Sequence, residues 1–362
     1  MKKRFLAVLL IAMMVLSMAA CAKKEEAKEE PAAEETTEEA AEEPAEEEAE
    51  EAAEEPAATG ALKMGVGHAI EASAKEATDD ADGQFEGDAY VVGLLVGEDG
   101  KAVDCFIDIA QCRMDVSAEG EVIEPEKEFK TKRELGPDYG MQKASSLAEG
   151  EWFQQADALE AWVIGKTKEE VQAMAVDADG HPTDADLVAG CTMGHMPVFI
   201  EAISNAFDNT VDAPEAVSVG VGVKTSATNS KSETEEEEGQ VQFYSYYGYS
   251  AVDAAGKIVA CVIDSAQITG AISEGKVVAP EAVKTKNELK EEYGMQKASS
   301  LEKGEWYQQA EHLASYLVGK DKDEISGLEF DADGKATDPD LLAGCTMGHL
   351  TDIVAAVAAG IQ

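Results

Sequence analysis

Along residues 61–362 the apolar positions fall into two kinds of pattern, and each kind occurs twice. Unbroken apolar runs come first. Tyr90 to Val96, a turn at Gly97-Glu-Asp-Gly-Lys101 and the run Val103 to Ile109 predict an antiparallel hairpin. Tyr246 to Val252, the turn Asp253-Ala-Ala-Gly-Lys257 and Ile258 to Ile263 predict another. Short hairpins fit around Ala118-Glu-Gly120 and Ser273-Glu-Gly275. Helical spacing follows: Trp152, Phe153, Ala156, Leu159, Trp162 and Val163 share one face, and Gly165 closes the run. Thr167-Lys-Glu-Glu170 has the form of a capping box. A last helix is predicted after His195, burying Val198, Phe199, Ala202, Ile203 and Ala206; its counterpart uses Ile353, Val354, Val357 and Ile361. Strands first and helices afterwards predict an α+β fold, an antiparallel sheet with helices on one face.

The patterns recur because the sequence itself recurs. Asp186-Leu-Val-Ala-Gly-Cys-Thr-Met-Gly-His195 returns as Asp340-Leu-Leu-Ala-Gly-Cys-Thr-Met-Gly-His349, 154 positions on. Tyr139 to Leu147 is repeated unchanged as Tyr293 to Leu301, and Met64-Gly-Val-Gly67 matches Val219-Gly-Val-Gly222. A period of domain size predicts two tandem copies of one domain, residues 61–211 and 216–362, with the boundary near Asp212-Ala-Pro-Glu215.

Composition separates what precedes them. Lys2, Lys3 and Arg4, the apolar run Phe5 to Met18 and then Ala19-Ala20-Cys21 read as an export signal over residues 1–20, too short to span a bilayer. Cysteine after two alanines gives it the look of a bacterial lipoprotein leader, with Cys21 lipidated. Residues 22–60 hold 17 Glu against 3 Lys and nothing apolar larger than alanine, proline aside. With Cys21 they form a disordered tether over 21–60, since they cannot bury enough surface to offset the entropy of ordering. The expected location is the extracellular face of a membrane, lipid-anchored. A net charge of -45 argues against nucleic acid as a partner.

The repeated Gly-Cys-Thr stretch carries the candidate chemistry. Placed before a helix, with Pro197 tolerated in the first turn, it would sit where free N–H groups and the helix dipole accommodate an anion. Thr192 and Thr346 could then hold a phosphate, with Gly190 and Gly344 allowing close approach. Disulfides Cys105–Cys191 and Cys261–Cys345 are one outcome for the cysteines, and buried thiols are the other. Cys191 with His195, and Cys345 with His349, could give a metal two ligands each, without an obvious third. Asp177-Ala-Asp-Gly180 and Asp331-Ala-Asp-Gly334 read as acidic turns. No Ser/His/Asp or Cys/His set is spaced for nucleophilic catalysis, and no Gly-x-Gly-x-x-Gly follows a strand to bind a nicotinamide. Tyr139-Gly-Met141 and Tyr293-Gly-Met295 place an aromatic and a thioether where they could flank a flat ring or anchor a loop.

The pattern Lys130-Thr-Lys132, Glu134-Leu-Gly136, Tyr139-Gly-Met141, Glu151-Trp152, Gln155, Gly165-Lys166, Asp186-Leu187, Gly190 and Thr192 resembles repeats of Gram-positive surface lipoproteins. Those repeats are grouped with FMN-binding domains, the kind found in Na⁺-translocating quinone reductase and Rnf complexes. The resemblance spans nearly all of residues 62–362 in two units. It implies FMN joined to a threonine by a separate flavin transferase, at a segment of the form Asp-x-x-(Ser/Thr)-Gly-Ala-(Thr/Ser). Asp186, Gly190 and Thr192 match, as do Asp340, Gly344 and Thr346. Ala189 and Ala343 stand where a hydroxyl residue is expected, and Cys191 and Cys345 where alanine is expected. The implied role is a flavin-carrying electron-transfer protein served by a membrane oxidoreductase, an electron carrier more than a self-sufficient enzyme. The competing expectation is a cofactor-free surface module that binds a ligand or metal.

Overall fold

The computed structural model describes residues 61–78, 80–125, 127–145, 150–299 and 303–361. The expected export signal, Cys21 and the expected tether lie outside the described residues. Strands β1 (Lys63–Lys75), β2 (Gly83–Val96), β3 (Ala102–Val116) and β4 (Glu128–Phe129) come first. They are followed by α1 (Lys132–Leu135), α2 (Met141–Ala144), α3 (Trp152–Val163), α4 (Lys168–Gln172), α5 (Ala185–Val188) and α6 (Met196–Asp208). The second half runs β5 (Thr210–Asp212), β6 (Ser218–Ser226), β7 (Gly239–Val252), β8 (Ile258–Ser273) and β9 (Lys276–Val278). Its helices are α7 (Lys286–Leu289), α8 (Met295–Ser299), α9 (Trp306–Leu317), α10 (Lys322–Ser326), α11 (Pro339–Leu342) and α12 (Leu350–Ala359). The strands form two antiparallel sheets, in the orders β3-β2-β1-β5 and β4-β6-β7-β8-β9.

The predicted hairpins are present and longer than their apolar runs. β2 pairs with β3 from Gly83↔Val116 to Val96↔Ala102, and β7 pairs with β8 from Gly239↔Ile272 to Val252↔Ile258. Val116 and Val122 meet in a single bridge around Gly120, while the turn at Gly275 joins β8 to β9. Helix α3 ends just before Gly165, and Thr167 caps α4 in the predicted box with Glu170. Ile361, expected inside the last helix, lies beyond the end of α12. Strands β1 and β6 were not foreseen, because their Gly-x-Gly segments break the apolar alternation.

An apolar run on a strand sends alternate side chains to opposite faces, so both faces need cover. On β2, Tyr90, Val92, Leu94 and Val96 pack against α3 and α6. Phe85, Ala89, Val91 and Leu95 face the other way, into a core shared with β6, β7 and β8. Helices thus cover one face of each sheet, as the order of patterns predicts; the second sheet covers the other, which that order does not predict. Phe85 stacks on Phe243 at 5.4 Å between centroids, and both are fully buried. Truncating either to alanine is expected to cost about 3–5 kcal/mol. Tyr249 donates its hydroxyl to Gly67 O at 3.0 Å, and the Val219 N–H donates to Asp104 Oδ2 at 2.9 Å.

The repeated Gly-x-Gly has a packing reason. A Cβ on Gly65 or Gly67 would run into the carbonyls of Ala206 or Ala202, so bare backbone lets α6 lie directly on β1. Gly222 and Gly248 do the same for α12. The motif is a seat for a helix.

Candidate functional site

In the first half the site begins at a short helix pinned to a strand. Thr131 caps α1 in a reciprocal box with Glu134. Buried Asp108 on β3 accepts N–H bonds from Ile109 at 2.7 Å and Arg133 at 3.2 Å, and burial pushes its carboxyl up to about 6. These bonds hold Lys132 in place. That lysine is buried, with Nζ over the rings of Tyr139 at 4.9 Å and Trp152 at 5.5 Å. The ring faces attract a cation there and offset part of the cost of its burial.

Beside Lys132 lies a cavity of about 480 Å³, within the range of small-molecule sites. Tyr90, Tyr139, Trp152 and Phe199 supply rings, Met141 and Met193 thioethers, and Gly194 and His195 part of the wall. Asp88 on β2 also faces it. Its Oδ2 accepts from Gln111 Nε2 at 3.3 Å, while Oδ1 is buried with no hydrogen-bond partner. Burial, with Glu86 adding repulsion, pushes the Asp88 carboxyl up to about 6. Tyr139 donates to Gln111 Oε1 at 3.1 Å, and Arg113 clamps Glu86 at 2.7 Å. Tyr90 and His195 Nδ1 share a hydrogen bond at 3.3 Å.

The structure gathers Tyr139 and Met141 into this cavity, but not the rest of the predicted set. Thr192 stands one residue short of the lining. Its N–H and Oγ1 both donate to the fully buried Gln155 Oε1, at 2.8 and 3.2 Å. Gln155 Nε2 in turn donates to Gly150 O at 3.2 Å and meets Met141 Sδ at 3.6 Å. Asp186 is exposed on α5, a helix the sequence did not suggest. A Cβ on Gly190 would press on Ala158 of α3, so this glycine makes room for a helix, and Gly344 does so for His312 of α9. Cys191 and Cys345 are buried, and desolvation pushes their thiols up, Cys191 to about 11. The five described cysteines are unbridged, so neither expected disulfide is present.

The helix terminus also differs from the expectation. Thr192 lies three residues before the N-cap, His195, which adopts a left-handed φ of 62°. The Met196 N–H donates to Gly180 O at 3.0 Å, and the Val198 and Phe199 N–H groups bond His195 O. Pro197 has no N–H, so the first-turn donors are committed internally rather than offered to an anion. The acidic turn explains itself here. Asp177 Oδ1 accepts from Asp179 and His181 N–H, both at 2.9 Å, shaping a loop whose Gly180 carbonyl caps α6. Gly334 does the same for α12 through the Leu350 N–H at 2.9 Å. Among the described residues, one trio of metal-type ligand atoms converges: Asp177, Asp179 and His181. Cys191 and His195, like Cys345 and His349, are not drawn into such a set.

In the second half Thr346 and Gln309 repeat the Thr192–Gln155 bonds at the same 2.8 and 3.2 Å. The side chain that faces this space differs. Tyr244 takes the place of Asp88, hydrogen-bonded to buried Lys286 and lying 4.9 Å from the ring of Tyr246. Lys286 Nζ stands over Tyr244, Tyr293 and Trp306 at 4.4, 4.6 and 4.9 Å. Burial pushes its ammonium down to about 7. Tyr244 also lies 6.3 Å from His349, so its ring fills the space between the counterparts of Lys132, Tyr139 and His195.

No family model, curated protein or solved structure matches this chain. Geometry alone therefore bears on function. Asp88, Gln111 and the cage around Lys132 escaped sequence reasoning, although Lys132 and Gln155 belong to the repeated pattern. Asp88 is exchanged for Tyr244 at the matching register position, but the two strands differ at most other positions too, so the exchange did not stand out.

Proposed function

We propose that this chain is a lipid-anchored protein of the outer membrane face whose first half carries a flavin for electron transfer. In this reading the two halves, 61–211 and 216–362, are tandem copies of one domain, and the acidic tether holds them away from the membrane. Cys21 is the lipidated residue. The observation that carries the flavin is the first-half cavity: four rings and two thioethers around a polar end with one unpartnered carboxylate oxygen. A ring N–H is the donor that Asp88 Oδ1 lacks, and Gln111 sits beside it. Tyr139, Trp152 and Met141 would hold the flat ring, while Lys132 and His195 supply donors for its oxygens or phosphate. The flavin, when bound, supplies one- and two-electron transfer; the protein binds it, orients it and excludes water.

Engagement of the Thr192 hydroxyl by Gln155 favours non-covalent binding over a phosphoester bond at that oxygen. Tyr244 in the second half favours one flavin per chain. Titrating the full chain with FMN and following flavin fluorescence tests this reading. One equivalent is expected to bind; Asp88→Tyr should weaken binding at least 100-fold, and Thr192→Val should leave it within about threefold. Protein from its native host that carries no flavin and takes up none would remove the electron-carrier reading. It would leave the same cavity as the site of a cofactor-free binding module. An intact mass of the mature chain tests the lipid on Cys21.

A further inference from the structure

Where the two halves meet, the structure repeats one groove with different contents. In the first groove, walled by β3, α1 and β6, Arg133 is the filling. Its Nε donates to Ile107 O at 2.7 Å, and its Nη atoms bond Asp157 at 2.8 Å and Glu160 at 2.5 Å. The guanidinium carbon lies 4.8 Å over Phe106. What is left is a pocket of about 290 Å³. The corresponding groove is walled by β8, α7, α9, β1 and α6. There Asn287 stands for Arg133, Ala314 for Glu160 and Val262 for Phe106. Asn287 Nδ2 still reaches the strand carbonyl, Ile263 O, at 2.9 Å, but no guanidinium follows. The cavity is about 860 Å³.

Of the two carboxylates that bond the Arg133 guanidinium, Glu160 gives way to Ala314 and the place of Asp157 keeps an acid. Glu311 stands at Asp157's place, Asp264 at Asp108's and Glu288 at Glu134's. Asp208 is on the lining too, bonded to Lys168 at 2.6 Å; against these acids the lining sets only Lys290 and His68. His68 meets Glu288 at 3.4 Å, and its buried Nδ1 has no hydrogen-bond partner. The cavity shares no lining residue with the flavin site proposed above.

We infer that this junction cavity binds a small guanidinium-bearing molecule, whose cation takes the position that Arg133 takes in the other groove. Glu311 at the mouth and Asp264 at the floor supply the charge, and the apolar wall of Val66, Val262 and Ala314 accepts the ligand's aliphatic part. A planar fork suits such a groove better than a point charge: in the partner groove a fork bonds a strand carbonyl and two carboxylates, and here Glu311 keeps the place of one carboxylate while Asn287 takes the carbonyl.

The probes are L-arginine and its neutral isostere L-citrulline, titrated calorimetrically into the full chain. Arginine is expected to bind at least tenfold more tightly than citrulline. Asn287→Arg combined with Ala314→Glu rebuilds the filling of the first groove and should abolish arginine binding while the melting curve stays two-state. Glu311→Gln, a change at an exposed position, should weaken arginine at least fivefold; it decides the matter should the double variant not fold. Equal binding of the two probes, no binding of arginine, or wild-type affinity in Glu311→Gln would overturn the inference. FMN binding is expected to be unchanged in all these variants, which separates this site's failure from that of the flavin reading.

Discussion

Asp88 and Tyr244 occupy the same place on two strands with the same register, above two lysines held by the same kind of short, Thr-capped helix. Under Asp88 there is a cavity with an unpartnered carboxylate oxygen; at Tyr244 a ring closes a cage around Lys286. The scaffold of each site is therefore separable from its content. The Thr–Gln clasp, the acidic turn and the Gly-x-Gly seat build the wall in both halves. One side chain then sets whether that wall faces an open cavity or an intramolecular filling. The junction grooves teach the same lesson, with Arg133 and Asn287 in the deciding position.

The most direct way to break this comparison is to empty the filled side. Tyr244→Ala removes a half-buried ring and leaves Lys286 with two aromatic faces. A loss of about 2–3 kcal/mol is expected, somewhat below the cost for a fully buried ring. Asp88→Ala, at the same place in the first half, should cost nothing or stabilise slightly, because it removes a desolvated carboxylate with an unpaired oxygen. Urea midpoints of the two variants measure the contrast; equal losses would mean that Asp88 is as structural as Tyr244.

The clasp should behave identically on both sides. Gln155→Leu and Gln309→Leu each remove the shared Oε1 acceptor of a half-buried threonine N–H and hydroxyl, at an expected cost of about 2 kcal/mol each. Because the bond lengths match in the two halves, the two losses should agree within about 0.5 kcal/mol. A much larger loss for Gln155 would tie it to the cavity rather than to the common scaffold.

Acidity offers a third contrast. Asp88 is held at about 6 in the fold, above its ordinary value of 3.8, so the native state binds the proton more readily than the unfolded chain. Its contribution to stability is full below pH 3.8 and is lost as the pH rises to 6. Lys286 is held at about 7, below its ordinary 10.5, so its neutral form suits the fold and stability rises between pH 7 and 10.5. Asp88→Asn should flatten the acid limb by up to about 3 kcal/mol across that window. Lys286→Met should flatten the alkaline limb. Unfolding curves at intervals of one pH unit check both signs.

Much of this architecture could be read from residue patterns. The runs at Tyr90–Val96 and Tyr246–Val252 announced the strands of antiparallel hairpins, and helix spacing located α3, α6 and the box at Thr167. What covers the inner faces was not legible, since alternation says that a face is buried and not against what. The site was harder for a related reason. Residues written twice drew attention to Thr192 and Thr346, but repetition marks whatever both halves need, and both need the clasp to Gln155 and Gln309. The signal for Gln155 was there, since it repeats with the threonine. Asp88, which lines the cavity with an unpartnered oxygen, differs between the halves and so belongs to no shared motif.

The smallest expected effect tests whether even the capping boxes share this division. Thr167 Oγ1 accepts the Glu170 N–H at 3.4 Å, while Asp321 Oδ1 in the second half accepts the Glu324 N–H at 3.0 Å. Both close the box with a returning glutamate. Thr167→Ala should cost about 1 kcal/mol at any pH between 4 and 8. Asp321 adds a charge near the positive end of α10, and the Glu324 N–H, with help from Lys257, holds its carboxyl below the usual aspartate range. Its contribution is present above that range and is lost as the pH falls through the depressed value. Asp321→Ala should therefore be the costlier change at pH 7 and lose that distinction in acid, where the protonated side chain no longer favours the helix end. A constant difference between the two variants from pH 7 down to pH 3 would show that the cap works through shape alone, and that the two boxes, unlike the two cavities, are interchangeable.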